Sequence, residues 1–302
     1  MAAEAWNPRA LREAFFALPG EFGVALRDTV LRKKASWKEK KVEGCDQNQE
    51  SGVPAQEPVR ILSDNGKWLL AETYFARGYI PAADIMRVPK DALRHAAFLT
   101  VTGCHAMGEC SGQGPVWFPM GVYLPLEGEL DNRYLVRAAM GGRGGARWRT
   151  VSIAKTEDVT KGYLRFSPQA FVALAKKQIG HLYEWGGRYG GLDCSALVMM
   201  LYRCFGIFVP RNSAQQAQIG TGVSFQQDMT VGERLALIRQ ARPGDLLFMP
   251  GHVAIWLGKK ENMLNILHAS YTAGEICAVS LNVTHKNAQE FLFKLEKIER
   301  IP

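Results

Sequence analysis

The sequence predicts an α+β chain: helices packed on an antiparallel sheet in its last third, preceded by two small β-barrels. Three observations carry that reading. A glycine-rich stretch, Trp185-Gly186-Gly187 to Gly190-Gly191, runs into Asp193-Cys194-Ser195 and an apolar segment of helical period. Short apolar runs separated by turn signals then lead through Gly251-His252 to His268. Upstream, short alternating runs are punctuated by Asn65-Gly66 and other turn dipeptides. A chain of 302 residues is long for one unit, so two or three domains are expected.

Residues 1–20 read as an N-terminal helical segment. Met1 to Ala5 show neither the charged region nor the apolar region of a signal peptide. They fit a processed or truncated chain with an added methionine as well as a native cytoplasmic start. The expected compartment is the cell envelope (periplasm or outside) if a leader has been removed, and the cytoplasm otherwise. Residues 21–92 give the first barrel, from Gly52 to Leu62, Asn65 to Glu72 and Gly78 to Ile85. Residues 93–165 give the second, with strands at Val116–Met120, Tyr134–Ala138 and Trp148–Ile153. The remaining domain is 166–302.

In that last domain Leu197, Leu201 and Cys204 recur at helical spacing and Gly206 follows as a stop signal. Asp193 is the expected N-cap, which puts Cys194 in the first turn. A cysteine attacks as its thiolate, and a helix N-terminus and a nearby imidazole both favour that form. The free amides of the same turn suit a developing oxyanion. Downstream, Arg242-Pro243-Gly244-Asp245 reads as a turn, Leu246–Met249 as a strand, and His252–Gly258 as the next strand. Met263–Leu267 forms a third and ends at His268. His252 is thus placed as general base and His268 as the group that orients it, a Cys-His-His set recognised by roles.

The run Tyr183 to Val198, the segment Pro210 to Gln216, and Gly251 to Ile255 together resemble the NlpC/p60 family of cysteine peptidases, compact papain-like domains that cleave bacterial cell-wall peptides. The resemblance implies Cys194 as nucleophile, His252 as base and His268 as the third polar residue. It implies that Tyr183 lines the catalytic centre. It further implies substrate or oxyanion roles for Trp185, Asp193, Ser195, Arg211, Asn212 and Ser213. Leu182 stands where proline is common and Ala196 where glycine is common. Asn212 stands where relatives specific for a free N-terminal L-Ala often carry aspartate. The upstream segments resemble bacterial SH3-like (SH3b) domains, with Tyr79 where many carry tryptophan. In that family such barrels bind wall peptides or restrict entry to the site, and Tyr74, Tyr79 and Trp117 are aromatic candidates for such a wall. The order of two SH3b-like barrels and a peptidase is similar to γ-D-glutamyl-L-diamino acid endopeptidases. The implied partners are peptidoglycan stem peptides or muropeptides, cut through a thioester without any cofactor.

Composition fits this reading. At 47% apolar and 22% charged the chain is of ordinary globular type, and no run approaches the roughly eighteen apolar residues of a membrane span. The net charge of +8 raises nucleic acid as a partner. Its densest basic run, Arg32 to Lys41, and the single Gly-Arg segment around Arg143, Arg147 and Arg149 lack the repeats such binding uses. Attraction to an anionic wall is the reading kept, and no nucleic-acid partner is expected. The six cysteines are too sparse for a disulfide framework. Cys104, His105 and Cys110 form at most half a metal site, so no metal is expected; a Cys104–Cys110 bridge is left open, and Cys45 is placed in a flexible loop. Two other function classes stand beside the endopeptidase: a thiol amidase or transpeptidase on the same fold, and a noncatalytic wall-binding protein.

Overall fold

The computed structural model describes residues 7–142 and 144–301. Met1 to Ala5, the first part of the predicted helical segment, and Arg143 lie outside the described residues. The helix itself runs Ala10–Ala17 and buries Phe15 and Phe16, with the Phe15 ring 5.6 Å from that of Phe22.

The first seven-stranded antiparallel sheet uses strands between Glu21 and Val88, with Gln49–Val53 and Ile85–Val88 outermost. It closes over Leu31, Val59, Leu69 and Ile80. Alternate residues of Pro58–Asp64 are buried, as a half-exposed strand requires. The Asn65-Gly66 turn holds Gly66 at φ +86°, where a side chain would be strained. The second seven-stranded sheet spans Phe98 to Lys161 around Leu99, Leu124, Val136 and Ile153. The strands expected for two barrels are therefore present. Among the described residues no pairing joins the two outermost strands of either sheet.

The last third holds a six-stranded antiparallel sheet in the order Thr221–Ser224, Lys297–Arg300, Leu246–Met249, His252–Lys260, Met263–Ser270 and Glu275–Asn282. The helix Cys194–Cys204 is buried along its whole length. Its inner face meets Phe248, Val253, Ile255 and Leu267 of the sheet. Its outer face meets the N-terminal sheets. Tyr123 Oη donates to the Arg203 carbonyl at 2.6 Å, and Arg203 pairs at 2.8 Å with Glu57, in the turn before the strand Pro58–Asp64 of the first sheet, both side chains 3% exposed.

The first sheet also touches the glycine-rich turn. A Cβ on Gly52 would lie 1.7 Å from the Gly187 carbonyl oxygen, so backbone packs directly on backbone there. Cys45 is not in a loop but in a two-stranded hairpin, Lys41–Val42 with Cys45–Asp46. That hairpin is fixed from below by Arg32, which is 1% exposed and pairs with Asp46 at 2.8 Å. Cys104 and Cys110 are free thiols.

Candidate active site

Asp193 caps the cysteine helix as its residue type requires: Oδ1 accepts from the Ala196 amide at 2.8 Å. Cys194 is the first helical residue and is 9% exposed. The Val253 and Ser195 amides face its sulfur. Val253 follows His252, so the strand that brings its amide to the sulfur also brings the imidazole. His252 Nε2 and His268 Nδ1 are 2.8 Å apart, with rings at 82° to each other. With Nε2 engaged, Nδ1 is the His252 nitrogen left for a thiol. A bond from His252 Nε2–H to His268 Nδ1 selects the tautomer in which that Nδ1 accepts a proton.

The electrostatics differ from the simple expectation of a favoured thiolate. Burial, then the Asp193 carboxylate, push the Cys194 thiol up to about 11. Burial, then the neighbouring His268, push His252 down to about 4. Burial lowers His268 as well. The physical reason is that sequence showed the helix terminus but not its depth in the core, and desolvation disfavours both charged forms. Before substrate arrives the thiol and the imidazole are each neutral at pH 7. Tyr183 is held well above its usual range by burial and by Asp193 and Cys194, so it keeps its hydroxyl proton as a donor.

Asp193, Ser195 and Arg211 come together, but beneath the helix terminus and not on an open groove. Arg211 is 3% exposed. Its guanidinium reaches Asp193 Oδ1 at 3.0 Å and Oδ2 at 2.5 Å, Ser195 Oγ at 2.9 Å, and Ser51 Oγ of the first sheet at 2.8 Å. The expectation that Arg211 lies against the substrate peptide is corrected on this point: a fork-shaped cation with no exposed edge positions Asp193 instead. Asn212 is exposed and Ser213 half-buried at the start of the next short helix. Trp185 is 39% exposed and donates its indole N–H to the Asp46 carbonyl at 3.3 Å.

Several further residues support the site. Gln216 is fully buried and donates to the carbonyls of Ser195 and Pro210, clamping the first turn of the cysteine helix. His181 places Nε2 2.9 Å from the Gly190 carbonyl and so braces the glycine-rich turn. The 41–46 hairpin and the residues just before it meet the rim: Tyr271 Oη donates to the Glu43 carbonyl at 3.3 Å, the Tyr271 ring packs edge-on to Tyr183, and Arg188 pairs with Glu39 at 3.0 Å. Tyr74, by contrast, packs inward against Phe75 and Phe208, and Trp117 is 57% exposed on the second sheet.

Glu50 is the most informative of these unforeseen residues. The pairing of Thr29–Arg32 with Gln49–Val53 slips between Leu31↔Ser51 and Arg32↔Gln49, so Glu50 is the unpaired residue of a β-bulge. Bulges re-aim side chains and are common beside active sites. Glu50 is partly exposed and within electrostatic reach of Arg211. Among the described residues its carboxylate has no hydrogen-bond or ion-pair partner.

A sequence profile described as the NlpC/P60 family matches residues 180–293. Dipeptidyl-peptidase 6 of Lysinibacillus sphaericus is 32% identical over 155 residues, which cover 46% of this chain and 50% of that protein. The gamma-D-glutamyl-L-lysine dipeptidyl-peptidase of Bacillus subtilis is 30% identical over 107 residues, covering 35% of this chain and 33% of that one. The chain thus matches half or less of the length of these relatives. An NlpC/P60 family protein from Bacillus cereus superposes with a TM-score of 0.70 at 16% identity, over 92% of this chain and 99% of that chain. An NlpC/P60 endopeptidase from Photobacterium damselae subsp. piscicida gives 0.65 at 17% identity, over 96% of this chain and 69% of that one. At such identities the structural likeness speaks for the fold. Sequence profile, relatives and fold agree that the last third of this chain, with Cys194, His252 and His268 inside it, is an NlpC/P60 family domain.

Proposed function

We propose that this protein is a cysteine endopeptidase of peptidoglycan stem peptides that cuts between γ-D-glutamyl and a diamino acid. The observation that carries the proposal is the 2.8 Å His252–His268 pair on the strands beside Cys194, inside an NlpC/P60 domain. Cys194 transfers its proton to His252 Nδ1 as sulfur bonds to the scissile carbonyl carbon. The first-turn amides and the Tyr183 hydroxyl take the oxyanion. The imidazolium then gives its proton to the leaving amine, and the neutral ring activates water against the thioester.

The N-terminal sheets, read as SH3b-like, act as a wall that admits short fragments. Support comes from the 39–46 segment of the N-terminal half, which seats on Trp185, Arg188 and Tyr271 at the rim. A free carboxylate at Glu50 then suits the amino group of an N-terminal residue, a charge that Asn212 does not supply. Glu50→Gln is expected to raise KM for a free-amine tripeptide by about 10- to 100-fold, the ~1.5–3 kcal/mol of one charged hydrogen bond, with kcat little changed. Steady-state kinetics on the free and N-acetylated tripeptide check this; an equal loss on both would sink the amine role.

The direct test is mass spectrometry of L-Ala-γ-D-Glu-meso-diaminopimelate with the protein and with Cys194→Ala. Release of L-Ala-D-Glu by the parent alone is expected. Products carrying an added acceptor amine would instead favour the amidase or transpeptidase reading, and inactivity on both tripeptide and digested wall would overturn the peptidase. The pH dependence follows from His252. The ring must be neutral to accept the thiol proton, and burial sets its titration at about 4. The acid limb of kcat/KM is therefore expected near pH 4, and a limb near the ordinary histidine value of about 6.5 would contradict the buried pair.

A further inference from the structure

Far from Cys194, at the other end of its helix, an open groove of about 420 Å³ lies between the N-terminal helix Ala10–Ala17, the segment around Arg94 and His95, and the catalytic domain at Phe208. The helix between the two sites has 11 residues, so they are separated by roughly 16 Å along its axis. Nothing in the peptidase mechanism uses this groove.

Three guanidiniums line it. Arg12 lies 5.0 Å from the Phe16 ring centroid and 5.5 Å from that of Phe208; Arg94 lies 5.8 Å from Phe16; Arg9 lies 5.8 Å from Tyr163. A cation over an aromatic ring can keep N–H groups free for another partner. Among the described residues none of the three has a carboxylate partner, and the only side-chain hydrogen bond they make is from Arg94 to the Phe16 carbonyl at 3.0 Å. Glu13 is the one acid on the groove wall. Further in, Arg137 adds positive charge, while Arg203 and Glu57 form a neutral pair. The positive field is felt by His95, which burial, then Arg137 and Arg12, push down to about 4.

We propose that this groove is a binding site for a phosphate monoester, held by Arg9, Arg12 and Arg94. A dianion fits the surplus of cations, and planar N–H forks fit phosphate oxygens. Phe16, Tyr163 and Phe208 give an apolar wall for the organic part of the ester. The proposal is independent of the peptidase reading, and its readout is binding.

The test uses the full chain and the Arg9→Gln/Arg94→Gln double variant, whose substituted side chains are exposed and lie outside the peptidase centre. Isothermal titration with inorganic phosphate, at constant ionic strength in chloride, is expected to show saturable binding. The double variant is expected to weaken it at least tenfold while leaving tripeptide turnover unchanged. In NMR titrations bound phosphate is expected to move the His95 pKa upward, and not in the double variant. Sedimentation with phosphatidic-acid vesicles but not phosphatidylcholine vesicles would place the phosphate on a lipid; phosphate binding without sedimentation would place it on a soluble ester. Absence of saturation, equal affinity in the variant, or equal displacement by acetate would each overturn the site.

Discussion

Cys194→Ala is expected to lower turnover of the tripeptide about 10⁴- to 10⁶-fold, and His252→Ala to cost nearly as much. The two groups act as one unit in the proposed mechanism, because burial holds each neutral before reaction and the thiol proton passes to the imidazole as sulfur attacks. The double variant should therefore be little worse than either single one. His268 separates from them. Its Nδ1 lies 2.8 Å from His252 Nε2, and in the tautomer with the proton on His252 Nε2 a glutamine can offer its amide oxygen to the same N–H. His268→Gln is expected to cost about tenfold and His268→Ala at least a further tenfold, since alanine leaves a buried N–H without a partner. Rates from a coupled amine-release assay check the series. Equal losses for Gln and Ala would remove the orienting role, and a thioester trapped in either His268 variant would move the defect to deacylation.

The candidate site was legible because its signals are local. An Asp N-cap, a helical apolar period and a glycine stop place Cys194 to within one residue of where the structure has it. Turn, strand, turn and strand place His252 and His268 on neighbouring antiparallel strands. Some strands of the N-terminal sheets, such as Trp68–Glu72 and Arg133–Met140, were equally local, read from alternation and turn dipeptides, whereas Glu21–Ala25 and Thr29–Arg32 were not read. What sequence hid was depth and distance. Arg211 and Asp193 are 18 residues apart, and nothing in their spacing says that both side chains are buried. Ser51 reaches Arg211 across 160 residues. Glu50 acquires its orientation from a register slip against another strand, which no single-strand pattern records. Cys45 looked like loop because a two-residue strand is too short to show alternation.

Breaking the buried Asp193–Arg211 pair should reveal how that hidden layer tunes the thiol. Arg211→Met leaves a buried carboxylate uncompensated and is expected to destabilise the protein by about 3–5 kcal/mol. At about 2–4 °C of Tm per kcal/mol, thermal unfolding will show the loss clearly. Asp193→Asn leaves a buried cation and also weakens the helix cap, so its loss should be at least as large. The two variants act on Cys194 in opposite senses. Asp193 raises the thiol and Arg211 lowers it, so Arg211→Met moves the thiol further up and Asp193→Asn brings it down. The rate of iodoacetamide alkylation, followed on the Cys194 peptide against pH, measures that sign directly. Asp193→Asn should alkylate faster than the parent at pH 8, and Arg211→Met slower. The Asp193→Asn/Arg211→Met double variant carries neither unpaired charge, so it should be less destabilised than the sum of the singles and alkylate closer to the parent. If both singles shift the alkylation profile in the same direction, local disorder of the helix terminus has replaced the electrostatic effect, and the buried pair does not set the thiol.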